Sequence, residues 1–512
     1  MVATTTKCKD GTPSTGKWLV MFYVAGDNNL SPLFVDQLKA IKDAGFDRNV
    51  EVIVRFDPNE PDLQTQTFNV NRERKKSSVR QIGDGNDSFV RNMIEDLEKE
   101  EPDKKALGFI PPYDALDRFI TFCIKEYPAR HYMLFLLGHG LIVGNDTFLP
   151  DELPQGGIGL RDLGGILKKH FKNRSLELLG LHACAMSGIE ILYQLQGTAK
   201  YMLGSEGLSF VHSWPYRQAI KRLLNGLKRE ECVEEILEDL YWHTFYNAKD
   251  FLISGFHLEL SLINLDSRRI RPLTQRMQEL VRRLKQALTY ECGDAIQLAH
   301  LKSQSYFSEF YTDLFDFCLC LKRQCKGHKK LDQLALACEN VMKELRPIGG
   351  NDRNTLLDRF KALVIHSQHF GWRSQYSHGL SILFPWIEPR RNVEKGKQVM
   401  ELYKRYEFNE ALKPHSWFSF LEKYFEETMR KPREKEDMEL NLNALKLNDD
   451  APKQYKVDDG DQKLWSRALK SLPDKPTGAS DKPTAGSGDS CDCPDIKNFP
   501  KKKKGKDKLV IL

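Results

Sequence analysis

The stretch Leu176–Gly188, LELLGLHACAMSG, decides how the rest of the chain is read. Leu178, Leu179 and Leu181 form the continuous apolar run of a strand covered on both faces. Small residues follow around one cysteine: Ala183, Cys184, Ala185, Ser187 and Gly188. A helix is expected to start next, so Cys184 lies at the C-terminal end of a strand, where open α/β sheets place their ligands. A helix N-terminus there would favour a thiolate.

Upstream, the pattern repeats. Trp18–Ala25 (WLVMFYVA), Val50–Phe56 and His131–Leu137 (HYMLFLL) are three further apolar runs. Helices are expected between them: one opening at Ser31-Pro32, an amphipathic one over Tyr113–Tyr127, and one over Leu160–Phe171. Strand, helix, strand in this order predicts a mainly parallel α/β sheet flanked by helices. From residue 215 helices dominate, with strand candidates at Leu258–Leu265, Ala362–Ser367 and Gly379–Phe384. Ser416 is placed to cap a last helix over 416–429.

The expected organisation is four-part. Residues 1–16 are a disordered N-terminus. Residues 17–250 are a catalytic core containing a mobile loop at 141–159, rich in Gly and Pro. Residues 251–429 are a C-terminal helical region whose added strands complete the domain. Residues 430–512 are a disordered charged tail.

Composition bounds the function. A net charge of +6 over 512 residues does not mark the whole chain as a nucleic-acid binder. Only the tail, with Lys501–Lys504, would touch nucleic acid, and a solvated tail is the simpler account. The eleven cysteines are scattered without framework spacing, and the N-terminus lacks an apolar signal core. Free thiols, a cytoplasmic location and no membrane partner are therefore expected. The Cys318, Cys320, Cys325 spacing lacks the second half of a metal site, so no metal or other cofactor is expected.

His139, between Gly138 and Gly140, leaves the strand His131–Leu137 as Cys184 leaves its own. Two such ends on adjacent strands lie about 5–10 Å apart. A thiol attacks a carbonyl as thiolate and needs a nearby base, which histidine supplies near neutral pH. The small flanking residues let a peptide approach and offer the N–H groups of Gly140 and Cys184 as an oxyanion hole.

The chain from Trp18 to Pro385 resembles the clostripain family of cysteine peptidases, whose fold is caspase-like. The resemblance is carried by WLVMFYVAGDNNL (18–30), YPARHYMLFLLGHG (127–140), LGLHACAMSGIEILYQL (179–195), YMLGSEG (201–207), YTDLFDF (311–317) and SHGLSILFP (377–385). It implies a Cys184–His139 dyad in an endopeptidase acting on proteins or peptides. It also implies a zymogen matured by cleavage between the dyad residues, by itself or by an activating protease or regulatory partner.

Two positions depart from the family pattern. His182 stands where an aspartate usually precedes the cysteine, and His212 stands near the place of a second acid before Trp214. The substrate pocket is expected from His182, Ser205, Glu206, His212 and Trp214. The resemblance implies Arg or Lys at P1, but without those carboxylates a basic side chain loses its counter-charges, so an acidic or neutral P1 is expected, protonated histidines suiting an acidic one. Acidic P1 makes Asp146, Asp151 and Glu152 the candidate activation sites. Calcium dependence is a family property, but no D-x-D-x-D-G loop occurs. The alternative is a caspase-like regulatory or binding scaffold with an altered pocket.

Overall fold

In a computed structural model, the described residues are 11–45, 47–59, 65–70, 110–140, 148–152, 155–248, 257–289, 292–307, 310–345, 355–386 and 400–429. The charged tail after residue 429 and the candidate cleavage residue Asp146 lie outside them.

Thirteen strands occur among these residues. They are β1 (Trp18–Gly26), β2 (Val50–Pro58), β3 (Gln66–Asn69), β4 (His131–Leu137), β5 (Phe148–Glu152), β6 (Gln155–Ile158), β7 (Ser175–His182), β8 (Tyr201–Gly204), β9 (Leu258–Asn264), β10 (Ser305–Tyr306), β11 (Tyr311–Asp313), β12 (Val364–Phe370) and β13 (Ser381–Leu383). Eight form one sheet in the order β12-β9-β8-β7-β4-β1-β2-β3. Its centre, β2, β1, β4, β7 and β8, is parallel, with β1 paired to β2 and β4, and β7 to β4 and β8. The antiparallel strands β3, β9 and β12 lie at the edges. This is the mainly parallel α/β architecture expected from the sequence, and β9 and β12 extend the same sheet.

Ten helices matter here: α1 (Ser31–Lys42), α2 (Pro112–Glu126), α3 (Leu160–Phe171), α4 (Ile189–Leu195), α5 (Tyr216–Lys228), α6 (Val233–Ala248), α7 (Ser267–Thr289), α8 (Gly293–Lys302), α9 (Leu314–Gln324) and α10 (Asp332–Leu345). Every residue of β1 is buried, as a strand covered on both faces requires. Its Tyr23 meets Phe119 of α2 on one side, while Phe22 meets Tyr216 of α5 on the other. Helices thus cover both faces, and the C-terminal ends of the parallel strands share one edge.

Several local expectations need correction. Residues 11–16 are ordered: Pro13 bridges to Cys232, and Thr12 Oγ1 donates to Glu234 at 2.8 Å. The segment 141–159 is not simply a mobile loop, because β5 and β6 form a hairpin with Phe148, Leu149 and Ile158 buried. Ser31 does not cap α1; its hydroxyl instead accepts from the Asn59 N–H at 3.0 Å. Ser416 does cap its helix, accepting from the Ser419 N–H at 3.1 Å. Cys232 is disulfide-bonded, against the expectation of free thiols throughout, whereas Cys318, Cys320, Cys325 and Cys338 are free. No helix among the described residues is long and apolar enough to cross a membrane.

Candidate active site

The register of β4 and β7 builds the site. Leu137 pairs with His182, so the chains leave the sheet side by side, and His139 and Cys184 each come two residues later. Gly140 then packs its backbone against that of Cys184. A Cβ on Gly140 would lie 1.8 Å from the Cys184 carbonyl oxygen, so only glycine fits. The two residues expected to supply oxyanion amides are therefore in backbone contact.

Cys184 is completely buried. Its Sγ accepts from the Ser209 N–H at 3.2 Å, and its S–H reaches the Ser209 carbonyl at 3.6 Å. Burial pushes the thiol far above its usual pKa. The expected thiolate-favouring helix end is absent here, because α4 begins only at Ile189. Ala185 takes a φ of 58°, a left-handed conformation uncommon for alanine. That turn is fixed to the exit of β8, with the Ala185 N–H on Gly207 O at 3.0 Å and the Ser187 N–H on Ser205 O at 2.9 Å.

His139 is held at both backbone and side chain. Its carbonyl accepts from Leu149 N–H at 3.2 Å, which ties the β5–β6 hairpin to it. Its Nε2 lies 2.7 Å from Asn29 Oδ1 in the turn after β1. Burial lowers the imidazole pKa to about 4, so the ring is neutral near pH 7.

The expected pocket residues are mostly turned inward. His182 is fully buried: its Nε2–H donates to Phe210 O at 2.9 Å, which leaves Nδ1 to accept from the Tyr216 hydroxyl at 2.7 Å. Burial lowers its pKa to about 3. Trp214 is buried and stacks on His182. Ser205 donates to Glu259 O at 2.6 Å. His212 is half-buried, 3.7 Å from Asp36 of α1.

Glu206 belongs to a buried carboxyl cluster that residue spacing could not disclose. Its Oε2 accepts from Gly379 N–H at 2.8 Å. Asp313 accepts from the Asp316 N–H at 2.6 Å, capping α9, and from the His378 N–H. Burial, reinforced by the neighbouring Asp313 carboxylate, pushes Glu206 well above the carboxylate range. Its Oε1 accepts from no donor among the described residues, so nothing offsets the cost of burying charge there. Glu259 joins the cluster, raised to about 7 by burial and bonded to Ser374. Among the described residues no three His, Cys, Asp or Glu side chains gather to hold a metal.

Of the candidate cleavage residues, Asp151 and Glu152 lie on β5, with Glu152 paired to Gln155 of β6.

The family model for Peptidase_C11, the Clostripain family, matches residues 22–357, and the chain belongs to that family. It is a cysteine peptidase, a hydrolase acting on peptide bonds. Among solved structures it is similar to an inactive zymogen C11 protease from Parabacteroides distasonis, with 18% identity over 78% of this chain and 99% of that one, at a TM-score of 0.47. A secreted C11 cysteine protease from Bacteroides thetaiotaomicron, solved with an irreversible peptide inhibitor, is 15% identical over 78% of this chain and 99% of that one, at a TM-score of 0.47. No curated protein matches the chain.

Proposed function

We propose that the chain is an endopeptidase in which Cys184 is the nucleophile and His139 the base, and that the uncleaved chain is its resting zymogen. The observation carrying the dyad is the backbone contact of Gly140 with Cys184 at the paired ends of β4 and β7. His139 takes the Sγ proton as sulfur bonds to the scissile carbonyl carbon. The N–H groups of Gly140 and Cys184 hold the oxyanion. The imidazolium then gives its proton to the departing amine as the C–N bond breaks. Water attacks the thioester, releasing the acid and restoring the thiol.

Two features support a resting state. Cys184 is fully covered and its thiol is bonded to Ser209. The hairpin β5–β6 hangs directly on the His139 carbonyl through Leu149. Cleavage in 141–159 would free that hairpin from one side of the site. A cut by the enzyme itself would follow an uncharged residue there, whereas a cut at the acidic candidates Asp146, Asp151 or Glu152 would need another protease.

P1 is selected by an uncharged side chain in this account. His182 has both ring nitrogens occupied, and His212 sits beside Asp36, so the imidazoles that would suit an acidic P1 are engaged. The aspartate that would suit a basic P1 is replaced by His182. Intact masses of the chain and of its Cys184→Ala form test self-maturation, and a P1-varied peptide library tests selection. Self-cleavage of the parent alone and turnover after uncharged residues are expected. Dominant turnover after Arg, Lys, Asp or Glu would overturn the P1 account.

A further inference from the structure

The turn after β1 reaches the site, although the sequence reading gives it no part in catalysis. It reads Gly26-Asp27-Asn28-Asn29-Leu30, at the C-terminal end of the strand beside β4. Its two asparagines divide their work. Asn28 holds the turn: its Nδ2 donates to Ala25 O at 2.9 Å and Pro150 O at 3.3 Å, and its Oδ1 accepts from Leu30 N–H at 3.0 Å. Asn29 is exposed, yet its Oδ1 lies 2.7 Å from His139 Nε2. A short bond from an exposed amide to the proposed base, rather than to water, calls for a reason.

We propose that Asn29 is a positioning residue that fixes the ring orientation and tautomer of His139, so that Nε2–H donates to Asn29 Oδ1 and Nδ1 keeps the lone pair that takes the thiol proton.

The inference rests on the Cys184–His139 reading above. A neutral imidazole has one N–H and one lone pair, and the partner of one nitrogen decides the role of the other. An amide oxygen as that partner orients the ring without adding charge. It therefore holds the tautomer, as a buried aspartate does in a Ser-His-Asp triad, but stabilises the imidazolium less. The base stays weak, which matches a site in which thiol and imidazole rest as neutral groups. The turn is itself anchored through Asn28 to Pro150 of the β5–β6 hairpin, so Asn29 is set by the same element that Leu149 ties to His139.

The chemistry of the side chain provides the test. An aspartate at position 29 can only accept, so it keeps the bond if His139 donates and loses it if the amide is turned the other way. Peptide turnover would be followed from pH 4 to 9 for the parent enzyme, Asn29→Ala, Asn29→Asp, His139→Ala and Cys184→Ala, with melting curves for each. Asn29→Ala is expected to lower kcat by about 10- to 100-fold, with KM nearly unchanged and the melting temperature kept. Asn29→Asp should recover most of that loss and move the acid limb of kcat/KM upward, because a carboxylate raises the basicity of the imidazole. An unchanged kcat in Asn29→Ala, or an acid limb in Asn29→Asp that overlays the parent, would overturn the proposal. Turnover surviving in Cys184→Ala, or turnover in His139→Ala within about 100-fold of the parent, would instead overturn the dyad on which it rests.

Discussion

His182 and Trp214 stack face to face, with ring centroids 4.6 Å apart and 11° between the planes. The residue two before Cys184, the proposed nucleophile, is thus a packing element of the interior. It joins the Cys184 turn to the segment Phe210–Tyr216 through Phe210 O and the Tyr216 hydroxyl.

Replacing His182 by Phe keeps the stack but takes the His182 acceptor from the Tyr216 hydroxyl and one of three donors from the Phe210 carbonyl, which keeps the Ser213 N–H and hydroxyl, costing about 1–3 kcal/mol near neutral pH. The pH dependence has a definite sign. His182 stays neutral in the fold down to about pH 3, while in the unfolded chain it protonates near its ordinary value of 6.5. Acidification below pH 6.5 therefore withdraws stability from the parent, by about 1.4 kcal/mol per pH unit. The Phe variant lacks this loss, so its deficit shrinks as pH falls from 6.5. Denaturant melts at pH 7 and 5 check it.

Glu206 should tolerate glutamine and resist alanine. Glutamine can still accept from Gly379 N–H and carries no charge at any pH. Glu206→Ala takes that acceptor from the Gly379 N–H and should cost about 1–3 kcal/mol. Because the carboxyl pKa is raised in the fold, the parent loses stability as pH rises above the unfolded value of 4.5 toward the folded one. Glu206→Gln does not, so it should match the parent near pH 5 and exceed it at pH 8. Thermal melts across that range decide the matter.

Gly140→Ala places a Cβ on the Cys184 carbonyl, and neither backbone can yield without moving the nucleophile turn. Turnover should fall at least about 100-fold, since small displacements of reacting groups are costly. Steady-state kinetics on a correctly melting variant measure this. Near-normal turnover would refute the close approach.

Cys184 should alkylate slowly with iodoacetamide in the uncleaved chain, because it is covered and its thiol pKa is raised. After cleavage within 141–159 the rate should rise at least about tenfold. Peptide mapping by mass spectrometry follows Cys184 separately from the other thiols. Equal rates before and after cleavage would contradict a covered resting state.

Much of this architecture was legible in the sequence, for physical reasons. Continuous apolar runs such as WLVMFYVA and HYMLFLL admit few structures besides a strand buried on both faces. Adjacent parallel strands then bring their exits together, which is why the strand ends before His139 and Cys184 could be set side by side from sequence. The hairpin Phe148–Ile158 was hidden because Pro150 and the Gly156-Gly157 pair read as a loop, and its order comes from burying Phe148, Leu149 and Ile158. The orientation of His182 depends on Tyr216, 34 residues away, and the Glu206 cluster on Asp313 and Gly379, more than 100 residues on. Neither leaves a local pattern. Asn29 did leave one: a polar turn at the C-terminal end of the strand next to that of His139 is a place to look for its partner.

The measurement bearing most directly on the central claim is an acid quench of the matured enzyme during peptide turnover, followed by intact and peptide-level mass analysis. The account predicts the acyl half of the substrate in thioester linkage on Cys184, no adduct and no turnover in Cys184→Ala, and at least about 100-fold slower acylation in His139→Ala. An adduct on another residue, or turnover that survives Cys184→Ala, would contradict it.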